Sequence, residues 1–413
     1  MKQFKVKAGV VIGLMAGLVA GVGEAKEQRL VFSGYSGSTT LTDFQAMVKL
    51  TEGQYGFSYN DYAAKDGSDI WFSDWQGNVI PHEIDLWNAS GASYIWVRVP
   101  ELAGKSTSIT MHWGEARTAA QTSTANVWKN NKDGRGGYVG VWHMGVTSAA
   151  SDPEPDATGN GLDAVPYSES GNISKMTGAL NAGWPTGACR TNADANGQKN
   201  ALKVPDYSQK ITDESRFTVS GWFRGSNPYN GNYKRFFSSA GLNGVNTGNG
   251  WEVRQNGDGW NDSDDHRHQT LATSAYNGST LGDYTPHKLN AKYLWNTVYI
   301  TVVFSDRIAT IYQNGVLIGS DDTVGCKARQ SYLTAEQLAN PANDFGFMIG
   351  HKVGSGNSWV GFYDEVRMYD GAESADRVKA NYDTMATPNT FLAMPALPKM
   401  RASALDMRQR ADA

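Results

Sequence analysis

The stretch Tyr94-Ile95-Trp96-Val97-Arg98-Val99 decides the fold class of this chain. Its three aliphatic residues fall on one side of an extended backbone, and Tyr94, Trp96 and Arg98 fall on the other, which is the two-residue period of a half-buried β-strand. Similar runs of β-branched and aromatic residues recur along the chain between clusters of Gly, Asn, Asp and Ser, for example 70–72, 108–113 and 299–304. The pattern predicts an all-β protein built from sandwiches or barrels.

Composition supports a folded, aromatic-rich chain. Its 413 residues are 40% hydrophobic and 19% charged, and include 13 Trp, 19 Tyr and 14 Phe, more aromatic residues than a disordered chain carries. This length predicts two compact domains. The 37 basic and 41 acidic residues give a net charge of −4. Because no basic stripe is present to neutralise phosphates, we do not expect a nucleic acid partner.

The first 25 residues have the pattern of a secretory signal peptide. Lys2, Lys5 and Lys7 precede an uncharged run over 8–22, and Gly23-Glu24-Ala25 offers small residues for cleavage. A retained membrane anchor is the alternative, but the apolar run is shorter than the roughly 20 residues of a spanning helix. We therefore expect an exported protein, located in the periplasm, at the cell surface or outside the cell, with no membrane span after cleavage.

Cys189 and Cys326 are the two cysteines of the chain. In an exported protein an even pair favours one disulfide, and two buried free thiols are the alternative. Both cysteines have Gly-containing, loop-like flanks, which suits a covalent link between two loops.

A polar, glycine-rich segment marks the domain boundary. Residues 129–137 interrupt the strand pattern, which restarts at Tyr138. We predict a first β-sandwich over 30–128, a linker over 129–137, a second domain over 138–392 and a disordered tail over 393–413. One helix is predicted near the end of the second domain, with Ser374 as its N-cap.

The second half carries an ordered set of motifs. Gly140-Val141-Trp142-His143-Met144 is followed by 156–161, by Phe217–Phe223, by the Tyr312-Gln313-Asn314-Gly315 turn and by Gly361–Tyr369. This order and spacing resembles the laminin-G-like, concanavalin A-like jelly-roll modules of secreted bacterial proteins. Physically, Asn314-Gly315 is a hairpin turn, because this pair tolerates positive φ at both positions. Trp142, Trp222 and Trp359 are expected in or near the core between the sheets.

The first half resembles domain-of-unknown-function family 2341, through Asp69–Phe72, Glu83–Asn88 and Ile95–Pro100. Members of that family commonly precede a laminin-G-like module in exported bacterial proteins. The resemblance implies an N-terminal β-sandwich followed by a jelly roll and implies no chemistry for the first domain.

The jelly-roll resemblance also implies a structural calcium ion between Asp156 and Asp364, and the side chain of Asn160, in the turn that follows Asp156, is a further oxygen donor. Carboxylate, amide and carbonyl oxygens are the ligands that calcium prefers. The alternative is an Asx-turn at Asp156 and a solvated or salt-bridged Asp364.

No catalytic residues are predicted. Glu83 and Asp85 alternate like the carboxylates of concanavalin-like glycosidases, but position 87 is Trp, so the expected third carboxylate is absent from that strand. His143 is interpreted as structural. The acidic, histidine-containing run 262–268 is interpreted as solvated surface, with a transition-metal site as the less favoured reading.

Ligand binding is predicted at the rim of the jelly roll. Aromatic rings stack on sugar faces, and Arg and Asn hydrogen-bond to hydroxyls; the candidates are Tyr229, Tyr233, Trp251, Arg254 and Trp260. The sequence favours a non-catalytic binding protein whose partner is an extracellular polysaccharide or a cell-surface glycan. A structural or adhesive envelope protein that binds other proteins, and a polysaccharide-active hydrolase, are the alternatives.

Overall fold

The computed structural model confirms the all-β class and the sandwich followed by a concanavalin A-like jelly roll. It describes residues 26–54, 57–61, 65–114, 127–128, 137–145, 151–168, 176–180, 188–192, 200–204, 211–213, 215–225, 234–240, 250–257, 269–276, 287–288, 297–306, 308–322, 346–351 and 358–393. The predicted signal peptide, most of the linker, Cys326 and the run 262–268 lie outside these residues. Among the described residues, no helix combines the length and the apolar composition that crossing a membrane requires.

The first domain is a sandwich of two antiparallel sheets. Its strands are β1 Lys26–Val31, β2 Leu41–Thr51, β3 Trp71–Ser73, β4 Val79–Ile80, β5 His82–Leu86, β6 Ala92–Leu102 and β7 Ser108–Trp113. One sheet has the order β1-β7-β3-β4 and the other β2-β6-β5. The aliphatic side of β6 lies in the core between these sheets, as the alternation of a half-buried strand allows.

The second domain is a larger two-sheet sandwich. Its strands are β8 Tyr138–Trp142, β9 Val165–Ser168, β10 Met176–Leu180, β11 Ala188–Asn192, β12 Asn200–Val204, β13 Arg216–Gly225, β14 Arg235–Ala240, β15 Gly250–Gly257, β16 Gln269–Tyr276, β17 His287–Lys288, β18 Val298–Ser305, β19 Ile308–Gln313, β20 Val316–Asp322, β21 Phe347–Ile349 and β22 Gly361–Asp370. The eight-stranded sheet has the order β10-β11-β22-β13-β18-β19-β20, with β8 also paired to β22, and the seven-stranded sheet has the order β17-β16-β15-β14-β21-β12-β9.

The inner faces of these two sheets form one apolar core. Trp142 and Trp359 are fully buried within it, as predicted. The Asn314-Gly315 turn joins β19 to β20 with φ of 52° and 74°, which confirms the predicted hairpin.

A second buried layer lies on the outer face of the eight-stranded sheet. There, Tyr94 and Trp96 of β6 pack against Trp128 and against Trp222 and Tyr299 of the jelly roll. The side of β6 that carries Tyr94 and Trp96 therefore faces the second domain. Trp222 is buried, but it points into this interdomain layer and not between the two sheets of the jelly roll, which corrects its predicted location.

Two C-terminal helices complete the contact between the domains. Helix α1, Ala375–Ala386, begins at Ser374, whose hydroxyl accepts the N–H of Arg377 at 3.3 Å, as predicted for the N-cap. Helix α2, Pro388–Phe391, places the ring of Phe391 in the core of the first domain. Ala393, the first residue of the predicted tail, pairs with Val31 of β1. The end of the chain segment assigned to the second domain is thus anchored in the first.

Candidate site between the two domains

Two acidic residues of β5 face the second domain. Glu83 and Asp85 are two residues apart on this strand. The pairing of β5 with β6 shifts between Ile84 and Leu86, so Asp85 is the extra residue of a β-bulge. Bulges redirect side chains locally, and this one occurs where the strand meets the jelly roll. The Glu83 carboxylate accepts a hydrogen bond from the indole N–H of Trp128 and is only 11% exposed.

His143 follows β8 and brings an imidazole to the same place. Its Nδ1 atom lies 2.7 Å from Oε1 of Glu365, and its Nε2 atom lies 3.6 Å from Oε2 of Glu83. Nε2 is buried and has no hydrogen-bond partner among the described residues. Its ring stacks near Trp96 and also packs against Trp128. His143 therefore joins carboxylates from both domains and is not an isolated core residue.

Glu365 and Arg367 of β22 form the base of the cluster. Glu365 is fully buried and its φ is 48°, an uncommon value for a residue other than glycine. Oε2 of Glu365 accepts a hydrogen bond of 2.7 Å from Nη2 of Arg367. The guanidinium also lies 4.4 Å from the ring of Trp96 and 4.9 Å from that of Trp128. Ion pairing and cation–π contacts thus compensate the burial of this charge.

A cavity of about 290 Å³ opens beside these residues. Its wall combines the two acidic residues of β5 and His143 with the loop that precedes β9; the residues that line it are Glu83, Ile84, Asp85, His143, Gly145, Glu154, Pro155, Asp156 and Ala157. Both domains contribute to it, so the cavity exists only when they are docked.

The charged residues of the cluster shift one another's pKa values. Burial is the main cause that raises the pKa of Asp85, to about 7, and Glu365 and Glu83 add to the effect while His143 and Arg367 oppose it. Burial disfavours the His143 imidazolium, but Glu365, Asp85 and Glu83 together raise its pKa well above the ordinary value. Burial likewise acts to raise the pKa of Glu365, but His143 and Arg367 lower it overall.

Charge counting explains these directions. Three carboxylates, from Glu83, Asp85 and Glu365, face two potential cations, His143 and Arg367. If His143 is protonated, one carboxylate must also be protonated to make the buried cluster neutral, and Asp85 is the group with the raised pKa. The arrangement holds an exchangeable proton close to neutral pH beside a cavity, which suits proton transfer or cation binding.

The predicted calcium residues have other partners in this structure. The hydroxyl of Thr158 lies 2.7 Å from both carboxylate oxygens of Asp156, to which it donates. The backbone N–H of Thr158 also donates to one of these oxygens, at 3.0 Å, so an Asx-turn is present. The side-chain amide of Asn160 donates to the carbonyl of Val139 at 2.9 Å. Asp364 is fully buried on β22, where its Oδ1 accepts the N–H of Glu365. Calcium binding here stays a prediction.

The predicted sugar-binding residues fall into two groups. Tyr229, Tyr233 and Trp260 lie outside the described residues. Trp251 is 1% exposed and packs against Phe217, Phe304 and Phe347 in the core, so its ring is not accessible to a sugar. Arg254 lies on the opposite side of β15 and donates to Glu252 at 2.8 Å. The structure therefore corrects the assignment of Trp251, which belongs to the core, and places Arg254 in a buried ion pair.

The predicted disulfide is not tested, because Cys326 lies outside the described residues and only the backbone of Cys189, on β11, is described.

The sequence interpretation missed the interdomain cluster. Glu83 and Asp85 lacked a third carboxylate on their own strand, yet Glu365 supplies one from a strand 280 positions after Asp85. The available signal was the Asp364-Glu365-Val366-Arg367 pattern, with charged residues inside an otherwise apolar strand.

Two family models match the chain, in the order that the sequence predicted. Residues 66–139 match the family described as Domain of unknown function (DUF2341), and residues 196–379 match the Concanavalin A-like lectin/glucanases superfamily. None of the curated proteins matches the chain significantly.

Several solved structures are similar to this chain. Domain 4 of AbnA, a GH43 extracellular arabinanase from Geobacillus stearothermophilus in complex with arabinotriose, has 15% identity and a TM-score of 0.39, with 61% of this chain and 99% of that chain covered. The binding domain of Paraclostridial Mosquitocidal Protein 1 has 14% identity and a TM-score of 0.39, with coverage of 60% and 52%. The Ruminococcus gnavus IT-sialidase CBM40 bound to α2,3-sialyllactose has 11% identity and a TM-score of 0.33, with coverage of 44% and 92%.

Proposed function

We propose that this chain, in which a DUF2341 domain precedes a concanavalin A-like domain, is an exported, non-catalytic protein that binds an extracellular glycan through its jelly roll. The superfamily of the second domain is described by both lectins and glucanases, and a fold does not by itself choose between binding and catalysis. The choice has to come from the surfaces of this molecule.

One observation carries the proposal: the first domain packs on the outer face of the eight-stranded sheet. The outer face of the seven-stranded sheet is therefore the broad face of the jelly roll that points away from the first domain. Ligand binding on the outer face of the seven-stranded sheet does not compete with the contact between the domains, so the two domains can stay docked while the jelly roll binds its ligand.

The opposite face carries a buried charged triad, and the connections beside it carry the proposed stacking rings. Arg235 and Arg254 flank Glu252, with contacts of 3.3 Å and 2.8 Å to its two carboxylate oxygens. This triad is almost fully buried on the outer side of β14 and β15, so we assign it a structural role and assign sugar contact to the rings of the neighbouring connections. Tyr229 and Tyr233 belong to the β13–β14 connection and Trp260 to the β15–β16 connection, next to the same strands in sequence.

A glycan array tests this proposal. The exported form is applied with and without a calcium chelator, which also tests the proposed structural calcium at Asp156, Asn160 and Asp364. We expect retention on a defined polysaccharide and a loss of at least tenfold in affinity for Tyr229→Ala or Trp260→Ala, because stacking rings supply much of the energy of sugar binding. Trp75→Ala is the matched control, since Trp75 is an aromatic residue of the first domain that is 75% exposed.

Retention on no glycan, or equal losses in the control and in both loop variants, contradicts this assignment. Association with envelope proteins instead of glycans would support the adhesive alternative.

Polysaccharide hydrolysis is the second candidate function, and the interdomain cavity favours it. Asp85, whose pKa burial raises to about 7, lines the cavity together with Glu83, and a carboxyl of this kind can act as a general acid near neutral pH. Release of reducing ends from an array-positive polysaccharide, abolished in Asp85→Asn, would establish it. The binding proposal predicts that neither the unmodified protein nor the Asp85→Asn variant releases reducing ends.

A further inference from the structure

We propose that Glu83, Asp85 and His143 form a binding site for a divalent transition-metal ion such as Zn²⁺ at the boundary between the two domains. The site is distinct from the proposed glycan-binding face, and it shares no ligand with the proposed calcium site, although Asp156 lines the same cavity. It requires residues of both domains, so metal binding would connect them.

A carboxylate orients the imidazole of His143 in the way that is typical of metal-binding histidines. Its Nδ1 lies 2.7 Å from a carboxylate oxygen of Glu365, which is itself fixed by Arg367. Metal-binding histidines usually direct one ring nitrogen to a carboxylate in this way, and the other nitrogen then binds the ion. Here that other nitrogen, Nε2, is buried and has no hydrogen-bond partner among the described residues.

The Glu83 oxygen lies at a suitable distance from the free ring nitrogen, and Asp85 lies close to the same imidazole. A tetrahedral zinc ion with bonds near 2.0–2.1 Å holds its ligand atoms about 3.3 Å apart. Nε2 of His143 and Oε2 of Glu83 are 3.6 Å apart, so a small side-chain movement would let both bind one ion. A carboxylate oxygen of Asp85 lies within 4.8 Å of a ring nitrogen of His143 and of an oxygen of Glu365.

The carboxylate of Glu83 is also oriented by a second residue. The indole N–H of Trp128 donates to its Oε2. Glu365 thus positions the histidine, and Trp128 positions the glutamate, which is the outer layer of hydrogen bonds that metal sites share. We assign Glu365 as a positioning residue and not as a ligand, because its two oxygens already contact His143 and Arg367.

The charge of the cluster matches a divalent ion. A metal ion has to displace the protons that the cluster holds, and the three carboxylates, the neutral imidazole and the one guanidinium then leave two negative charges in a largely buried space. A divalent cation would neutralise them, and buried charges require such compensation. One nitrogen and two carboxylate oxygens suit zinc and similar ions, whereas calcium takes oxygen ligands only. The adjoining cavity leaves a coordination position open for water or a ligand.

Metal titration tests the site. The full-length exported chain, stripped with a chelator and dialysed, is titrated with Zn²⁺ alone in a calorimeter, and the bound metal is counted by elemental analysis. We expect one ion per chain, with affinity reduced at least 100-fold in His143→Gln and Asp85→Asn. Glu365→Gln should lose about 10- to 100-fold, because it misorients the imidazole without removing a ligand.

His112→Gln is the matched control. His112 is also partly buried and hydrogen-bonded, with Ser73 at 2.8 Å, but it lies on β7, in the sheet of the first domain that does not face the jelly roll. This variant should bind zinc like the unmodified protein. Co²⁺ should give visible absorption bands of a low-coordinate site, and these bands should disappear in His143→Gln.

The proposal is overturned if no stoichiometric zinc binds, or if His143→Gln binds it unchanged, as zinc at the 262–268 run or at free thiols would. Folding of each variant is checked by thermal unfolding in chelator. If His143→Gln does not fold, Asp85→Asn and Glu83→Gln, which are nearly isosteric, decide the question by the same titration.

Discussion

Both faces of the eight-stranded sheet make buried contacts, but with different chemistry. The inner face meets the seven-stranded sheet through apolar and aromatic side chains. The outer face meets the first domain through aromatic rings that surround ionised groups, with Arg367 between Trp96 and Trp128 and paired to Glu365. The inner contact depends on shape and volume, whereas the outer contact also depends on charge balance.

This difference indicates what each contact contributes. Burying apolar area stabilises by roughly 25 cal/mol per Å². A buried ion pair contributes little net stability, because desolvation offsets its attraction, but losing one partner costs much. We infer that the inner face supplies stability, while the charged part of the outer face fixes one docking geometry of the two domains and, with it, the shape of the cavity.

Phe237→Ala should produce the largest loss of stability and tests the inner face. Phe237 is fully buried and its ring contacts those of Phe223 and Phe347. Truncation of a buried Phe leaves a cavity and costs about 3 to 5 kcal/mol, which denaturant unfolding would measure. Trp75→Ala, at a 75% exposed residue, should change the free energy of unfolding by less than about 0.5 kcal/mol. A cost for Phe237→Ala near that of the control would contradict a volume-dependent core.

Arg367→Met tests the charge balance of the outer face. It keeps apolar volume but leaves Glu365 with His143 as its one remaining cationic neighbour in the cluster. We expect a loss of about 3 kcal/mol in the free energy of unfolding. The double variant Glu365→Gln/Arg367→Met should be less destabilised than the sum of the single variants, by about 1 to 2 kcal/mol in a double-mutant cycle. Strict additivity would mean that the ion pair is not what this face depends on.

Gly315→Ala tests how closely α1 packs on the jelly roll. Gly315 has a φ of 74°, and an added Cβ would lie 2.9 Å from Cδ of Lys379 and 3.2 Å from Cβ of Tyr382. We expect a loss of about 2 kcal/mol, from backbone strain of about 1 to 2 kcal/mol and some crowding. Gly53→Ala is the matched control, because its φ is 76° and nothing lies within 4 Å of its added Cβ. Equal losses in the two variants would show that α1 moves away from the added methyl group without a measurable loss of stability.

The same contrast explains what the sequence predicted. Local chemistry identified the Asn314-Gly315 turn, the Ser374 cap and the alternation of β6, because each depends on residues adjacent in the chain. The alternation separated the two sides of β6 correctly. It did not reveal that Tyr94 and Trp96 face another domain, since both ring types also occur at half-exposed positions.

The spacing of residues in the sequence could not reveal the interdomain cluster. Glu83 and His143 are 60 positions apart, and His143 and Glu365 are 222 positions apart. They meet because β5 packs on the sheet that contains β22, and that packing follows from the complete fold. Each residue alone had an adequate structural explanation. Only their convergence around one cavity makes them a candidate site.

Asp376→Asn should have the smallest effect, and it tests the polar edge of the same interdomain contact. Oδ2 of Asp376 in α1 accepts the backbone N–H groups of Ser38 and Thr39, each at 2.9 Å, and both hydroxyls. The Thr39 hydroxyl is the main cause that lowers the pKa of this carboxyl, and the two N–H groups add to it. Because the pKa is lower in the folded state, the contribution to stability is complete above the ordinary value of about 3.9 and is lost as the pH falls through the folded value.

Unfolding curves between pH 2 and pH 7 would therefore separate the two proteins. At neutral pH the variant should lose less than about 1 kcal/mol, since the site is at the surface, and the two curves should converge in acid. A difference that stays constant from pH 7 to pH 2 would mean that the charge of Asp376 does not contribute, and that shape alone holds α1 against the first domain. The polar edge would then resemble the inner face of the sheet more than the charged cluster beside it.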